Sequence, residues 1–163
     1  MAVTYEPLAT TTLGSSQSSV DFTSISGSYT DLIVICNAKG STLINTRLRF
    51  NSDTGSNYSY TILGGNGSSA ASFRTTSSTY AQINYYSYLE TTQNVNHIVQ
   101  IMNYSNATTY KTYLARGNNT ANGFDAVVGL WRSTSAITTV TLSTNTGTFE
   151  SGSTFTLYGI KSA

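Results

Sequence analysis

Charge is what this chain has least of. Only 9% of its 163 residues are Asp, Glu, Lys or Arg, against about 25% in ordinary soluble domains. Eight basic residues nearly balance seven acidic ones, for a formal net charge of +1. That leaves no positive field for the phosphates of DNA or RNA, and only Arg47 and Arg49 lie close in sequence. A single cysteine, Cys36, excludes a disulfide within one chain. Set in the run Leu32-Ile33-Val34-Ile35-Cys36, it reads as a small buried hydrophobe. With a single histidine, His97, it falls short of a zinc ligand set within one subunit. No run approaches the roughly 18 apolar residues of a membrane-spanning helix. Residues 1–7 have neither the basic region nor the apolar stretch of a secretory signal, so the expectation is synthesis in the cytoplasm without encoded export.

Catalytic groups are equally scarce. His97 shares strand parity with Val95, Val99 and Ile101 and reads as a packed histidine, and no serine sits in a nucleophile-elbow pattern. The carboxylates Glu6, Glu90, Glu150, Asp21, Asp31, Asp53 and Asp125 form no recognisable pair. Asp21 and Asp31 flank strands and are expected to cap turns. Gly64-Gly65-Asn66-Gly67 lacks the lysine and following helix of a phosphate loop. Residues 51–57 alternate oxygen-bearing side chains around Gly55, as calcium loops do, but carry a single charged ligand and read as an Asx-type turn. The expectation is a protein that is not an enzyme and has no metal and no cofactor.

What is abundant is the material of β-structure. The chain is 39% hydrophobic and 12% aromatic with 12 tyrosines, too rich in large apolar groups for a disordered chain. Residues 29–37 and 125–131 are apolar on both faces and predict strands covered on each side. Residues 46–51 alternate and predict a half-buried strand. Further strands are expected at 57–63, 80–89, 97–102, 108–116, 137–143 and 154–160, with Gly- and Asn-rich turns between them. Residues 64–79 read as a long exposed loop. The fold expected is all-β: an antiparallel, jelly-roll-like β-sandwich of about 8–10 short strands. Residues 1–13, with the only proline, Pro7, read as an N-terminal arm or an edge strand; residues 14–163 form the sandwich domain. Tyr80, Tyr86 and Tyr88 share one parity of the expected 80–89 strand. They pack across strands, or they form an exposed face able to stack on sugars or dock a protein.

Four stretches carry a resemblance: Tyr-Glu-Pro-Leu-Ala-Thr-Thr-Thr-Leu-Gly at 5–14, Arg-Phe-Asn-Ser-Asp-Thr-Gly-Ser-Asn-Tyr-Ser-Tyr at 49–60, Val-Val-Gly-Leu-Trp-Arg-Ser-Thr-Ser-Ala-Ile at 127–137 and Gly-Ser-Thr-Phe-Thr-Leu-Tyr-Gly-Ile-Lys at 152–161. They resemble small virion structural proteins encoded by phages of aquatic bacteria, cyanophages among them. The resemblance implies a head decoration (cement) protein, located in the virion, that clamps the shell through the major capsid protein. As a homotrimer it would cover the second face of the apolar strands. The alternative it implies is a tail-fibre module that holds host polysaccharide through an exposed Tyr/Asn surface or through residues 64–79. A hydrolase with converging carboxylates is a third reading. Tyr5, Pro7, Leu8, Tyr86 and Tyr88 are the candidate partner-binding residues, with neither nucleic acid nor membrane as partner.

Overall fold

A computed structural model describes residues 4–161. Every regular element among them is a strand: β1 (Tyr5–Thr12), β2 (Ser19–Phe22), β3 (Asp31–Ala38), β4 (Thr46–Phe50), β5 (Tyr58–Gly65), β6 (Ala70–Ser78), β7 (Ala81–Gln82), β8 (Val95–Met102), β9 (Lys111–Asn119), β10 (Gly123–Trp131), β11 (Val140–Thr144) and β12 (Thr154–Ile160). They form an eight-stranded sheet, β1-β12-β3-β8-β9-β10-β5-β6, and a four-stranded sheet, β2-β11-β4-β7. The named pairings are all antiparallel. The steps β1 to β2, β3 to β4, β7 to β8 and β11 to β12 each cross between the sheets. That is the jelly-roll path. The hairpin β5-β6 and the pair β9-β10 widen one of its sheets.

Alternation explains the core. In β3, Leu32, Val34, Cys36 and Ala38 face inward and are fully buried. They meet Leu48 and Phe50 of β4, Val140 and Leu142 of β11, and the aromatic rings of Tyr58, Tyr113, Phe149 and Phe155 in a single cluster. Burial pushes the Cys36 thiol far above its ordinary range, so it is inert.

Four sequence expectations are corrected here. Ile33 and Ile35 of β3 are only half-buried, and in β10 Ala126 and Val128 are exposed, so neither strand is covered on both faces within one chain. Residues 64–79 are not a loop: β5 runs to Gly65, a turn occupies 66–69, and β6 follows. As an edge strand β6 buries little besides Phe73, so its Ser and Thr content hides it. Residues 80–89 are not a strand beyond Ala81–Gln82; the remote Asp125 carboxylate and the segment's own Asn84 side-chain amide capture the backbone that follows. Asp21 lies within β2 and accepts a hydrogen bond from the Thr141 hydroxyl across the strands rather than capping a turn. Asp31 caps as expected, accepting from the Asn103 amide at 2.7 Å.

Residues 5–12 are an edge strand of this domain's own sheet, paired along β12 with a bulge at Leu8. Residues 1–3 of the expected arm lie outside the described residues. Pro7 is compatible with an edge, where a missing N–H costs no ladder bond.

Candidate functional site

The outward positions of the eight-stranded sheet form a surface unlike the usual polar outer face of a sandwich. One cross-strand row runs Tyr158, Ile33, Gln100, Leu114, Val128, Thr61. The next runs Thr156, Ile35, Ile98, Arg116, Ala126, Leu63. Leu63, Leu114 and Val128 are 57%, 43% and 58% exposed, so this apolar block is open to solvent. It holds a groove of about 500 Å³ that Tyr5, Ile33, Leu63, Ile98, Leu114 and Val128 help to line. Arg116 is the charged group within the two rows. Its aliphatic stem adds to the apolar area while the guanidinium stays in water. The signal for this surface was present in sequence as the two-sided apolar runs of β3 and β10.

The five sequence-predicted contact residues do not come together. Tyr5 is 58% exposed and reaches the groove. Pro7 pairs with Tyr158 on β12 and is exposed. Leu8, at the bulge, packs against the core and is withdrawn from any contact role. Tyr86 and Tyr88 are half-buried and lie outside any strand, so their shared parity has no geometric meaning. Tyr86 instead stands edge-on to Tyr85, 5.0 Å between ring centroids, and Tyr85 lies tilted against Phe73 at 4.2 Å. Burial raises the pKa of Tyr88.

Sequence reasoning did not connect Ser87, His97 and Asp125, which meet in the core. Asp125 Oδ2 accepts from the Tyr85 and Ser87 amides and from Ser87 Oγ, while Oδ1 accepts from the Tyr86 amide. His97 Nε2 lies 2.7 Å from the Ser87 carbonyl oxygen, an acceptor, so Nε2 carries the proton. The ring fits because Gly117 lies opposite it: a Cβ there would sit 2.3 Å from the imidazole. These residue types suit hydrolysis, but the arrangement does not. The serine proton points at the carboxylate rather than the imidazole, and all three groups are closed to solvent. The cluster is a clamp that fixes the 83–89 segment.

His97 Nδ1 has no hydrogen-bond partner among the described residues. Burial, opposed by the Ser87 carbonyl and by the nearby Asp125 charge, lowers its pKa below the ordinary 6.5. The unfolded chain therefore takes up this proton first as pH falls. Stability is held above pH 6.5 and lost from there down toward the folded-state pKa. Unfolding measured against pH should show a slope in that window approaching 1.4 kcal/mol per pH unit, the one-proton limit. His97→Gln, which keeps a donor near Ser87, should flatten it; an unchanged slope would assign the effect elsewhere.

A second knot forms around Asp53. Oδ1 accepts from the Gly55 amide at 2.7 Å, and Oδ2 accepts from Asn57 Nδ2 at 2.9 Å and from the Trp131 indole at 2.6 Å. The 51–57 segment is thus an Asx turn whose carboxylate is fully engaged with protein donors. Those donors outweigh the effect of burial and hold Asp53 below its usual range. Lys111 is fully buried, donating to the carbonyls of Thr109 and Thr134, and burial lowers its pKa. Among the described residues no three His, Cys, Asp or Glu side chains gather as a metal site. Asparagine amides organise the turns: Asn106 accepts from Thr108 and Thr109, Asn66 from Ser68 and Ser69, and Asn51 from Thr138 and Thr139. That accounts for much of the uncharged polarity of the chain. No protein-family model matches the chain, and no curated protein does either.

Proposed function

We propose that this chain is a phage virion structural protein of the head-decoration kind, a homotrimer that stabilises the shell by protein–protein contact. The observation that carries the reading is the open apolar block on β3, β8, β9, β10 and β5. An exposed, nearly uncharged surface of this kind marks an association site on a folded protein. The occupant proposed is a second copy of the chain, because a face whose two rows carry one charge, Arg116, with its guanidinium kept in water, meets its own copy with little like-charge repulsion. The fold is compatible with this reading, since jelly rolls build viral capsid domains as well as lectins. The four sequence stretches resembling phage structural proteins favour the virion.

Attachment to the shell falls to the free edge of β1. An edge strand offers main-chain hydrogen bonds to a neighbour's sheet without needing charge. Tyr5 and Pro7 remain the contact residues there; no bond is made or broken in this role.

The test is sedimentation of the purified chain. The wild type should sediment as a trimer. Val128→Glu or Leu114→Glu should shift it to monomer with unchanged far-UV circular dichroism, because a carboxylate desolvated in an apolar contact is strongly disfavoured. A wild type that is monomeric at every concentration would remove the proposal.

A further inference from the structure

Phe124, at the start of β10, is 58% exposed although it is a large apolar ring on a strand. It lies at the end of the sheet, beyond the apolar block, and its position is built. Its ring lies over Gly65 on the neighbouring strand, where a Cβ would come within 3.0 Å of Cζ. The preceding Gly123 has φ +153°, and a Cβ there would sit 2.1 Å from the Gly65 carbonyl oxygen. Two glycines thus let the backbones close up and the ring rest across the strand, with one side supported and the rest open.

Two depressions flank the ring. One, of about 280 Å³, is lined by Phe124 together with Asn66, Asn118, Thr120 and Asn122. The other, of about 430 Å³, borders the apolar block and is lined by Phe124 with Leu63 and Ala126 of that block and with Ala70, Ala71 and Ser72. Neither has a charged residue in its lining. Asn118 pairs directly across from Phe124, and its side chain makes no hydrogen bond within the described residues; nor does that of Asn122. Asn66 spends its side-chain oxygen on the turn, leaving its NH₂ free. Asn118 continues a row of amides in which Asn37 donates to Asn96 at 2.7 Å.

We infer that Phe124, with Asn118, Asn122 and Asn66, forms a binding platform for a neutral polysaccharide. A sugar ring has an apolar C–H face and a rim of hydroxyls that both donate and accept. The exposed aromatic plane takes the first, and amides, which also donate and accept, take the second. The lack of charge disfavours phosphate, sulfate and carboxylate ligands, which call for cationic partners. The platform is independent of the shell-binding role: it would let a particle that displays many copies hold a glycan surface by multivalency.

The test is native electrophoresis of the full chain through gels containing dextran, yeast mannan, galactomannan or hydroxyethyl cellulose, against a gel without polysaccharide. Retardation is expected in at least one, and Phe124→Ala and Asn118→Ala should each weaken it about tenfold. Melting and sedimentation of both variants should match the wild type, which separates this site from the trimer contact. Equal retardation of variants and wild type overturns the inference. So does mobility unchanged in all four gels, retardation only by the anionic polymers heparin or alginate, or dissociation of the oligomer by Phe124→Ala.

Discussion

Asp125→Ala is expected to destabilise the protein by about 4 kcal/mol. The carboxylate accepts from the amides of Tyr85, Tyr86 and Ser87 and from the Ser87 hydroxyl, and Asp125 is 3% exposed. Removing it strands those donors at roughly 1 kcal/mol each, the low end of the usual range because the partly exposed Tyr85 can shift toward water. Asp125→Asn should recover less than half of the loss, since its NH₂ would face N–H groups. Equilibrium denaturation measures the total, and hydrogen exchange at residues 84–89 should show that segment opening first. Loss below about 1 kcal/mol, the worth of a single ordinary hydrogen bond, would mean that the clamp is dispensable.

Trp131→Ala is expected to cost about 3–5 kcal/mol, the usual range for emptying a large aromatic site in a core. Trp131 is 2% exposed on the inner face of β10. Its ring lies 5.5 Å from Phe50 and stacks 6.3 Å from Tyr58, centroid to centroid. Trp131→Phe keeps most of that packing but removes the indole donor to Asp53, which retains Gly55 and Asn57. It should cost roughly 1–2 kcal/mol. Because this is the only tryptophan, circular dichroism rather than fluorescence should follow the unfolding. Unchanged melting with lost self-association would move Trp131 to a contact surface.

The residues that made the fold legible were those in which alternation is clean. In β4 the Arg47/Leu48/Arg49/Phe50 pattern states its own orientation, and the Gly/Asn turns locate most strand ends. The sandwich and its jelly-roll character follow from such segments. β6 was hidden because an edge strand with a single inward Phe73 carries no apolar period. Residues 83–89 misled for the opposite reason: their tyrosines alternate, yet a carboxylate 38 residues away in sequence takes their amides. Composition cannot reveal such a pairing before the fold brings β10 beneath the segment. The apolar runs of β3 and β10 were read correctly as apolar, but within one chain their second face is open. A run apolar on both sides fits a central strand as well as one with an open face, and only the partner layer distinguishes them. The candidate surface was therefore half legible: its residues were marked, its exposure was not. Among the predicted contact residues, Leu8 failed because it shares the less exposed parity of β1 and packs against the core, whereas Tyr5 stayed on the surface. The sequence marked residues 64–79 for polysaccharide but not Phe124, whose platform depends on Gly65 lying directly across the strand pair.

Electron cryomicroscopy of purified phage particles of the kind proposed to carry this chain tests the central claim most directly. The account predicts jelly-roll density in threes on the head surface, with the β3-β8-β9-β10-β5 faces packed against one another and β1 against the shell. Density for this chain only in the tail, or on the head as separated single copies with that sheet face open to solvent, would contradict it.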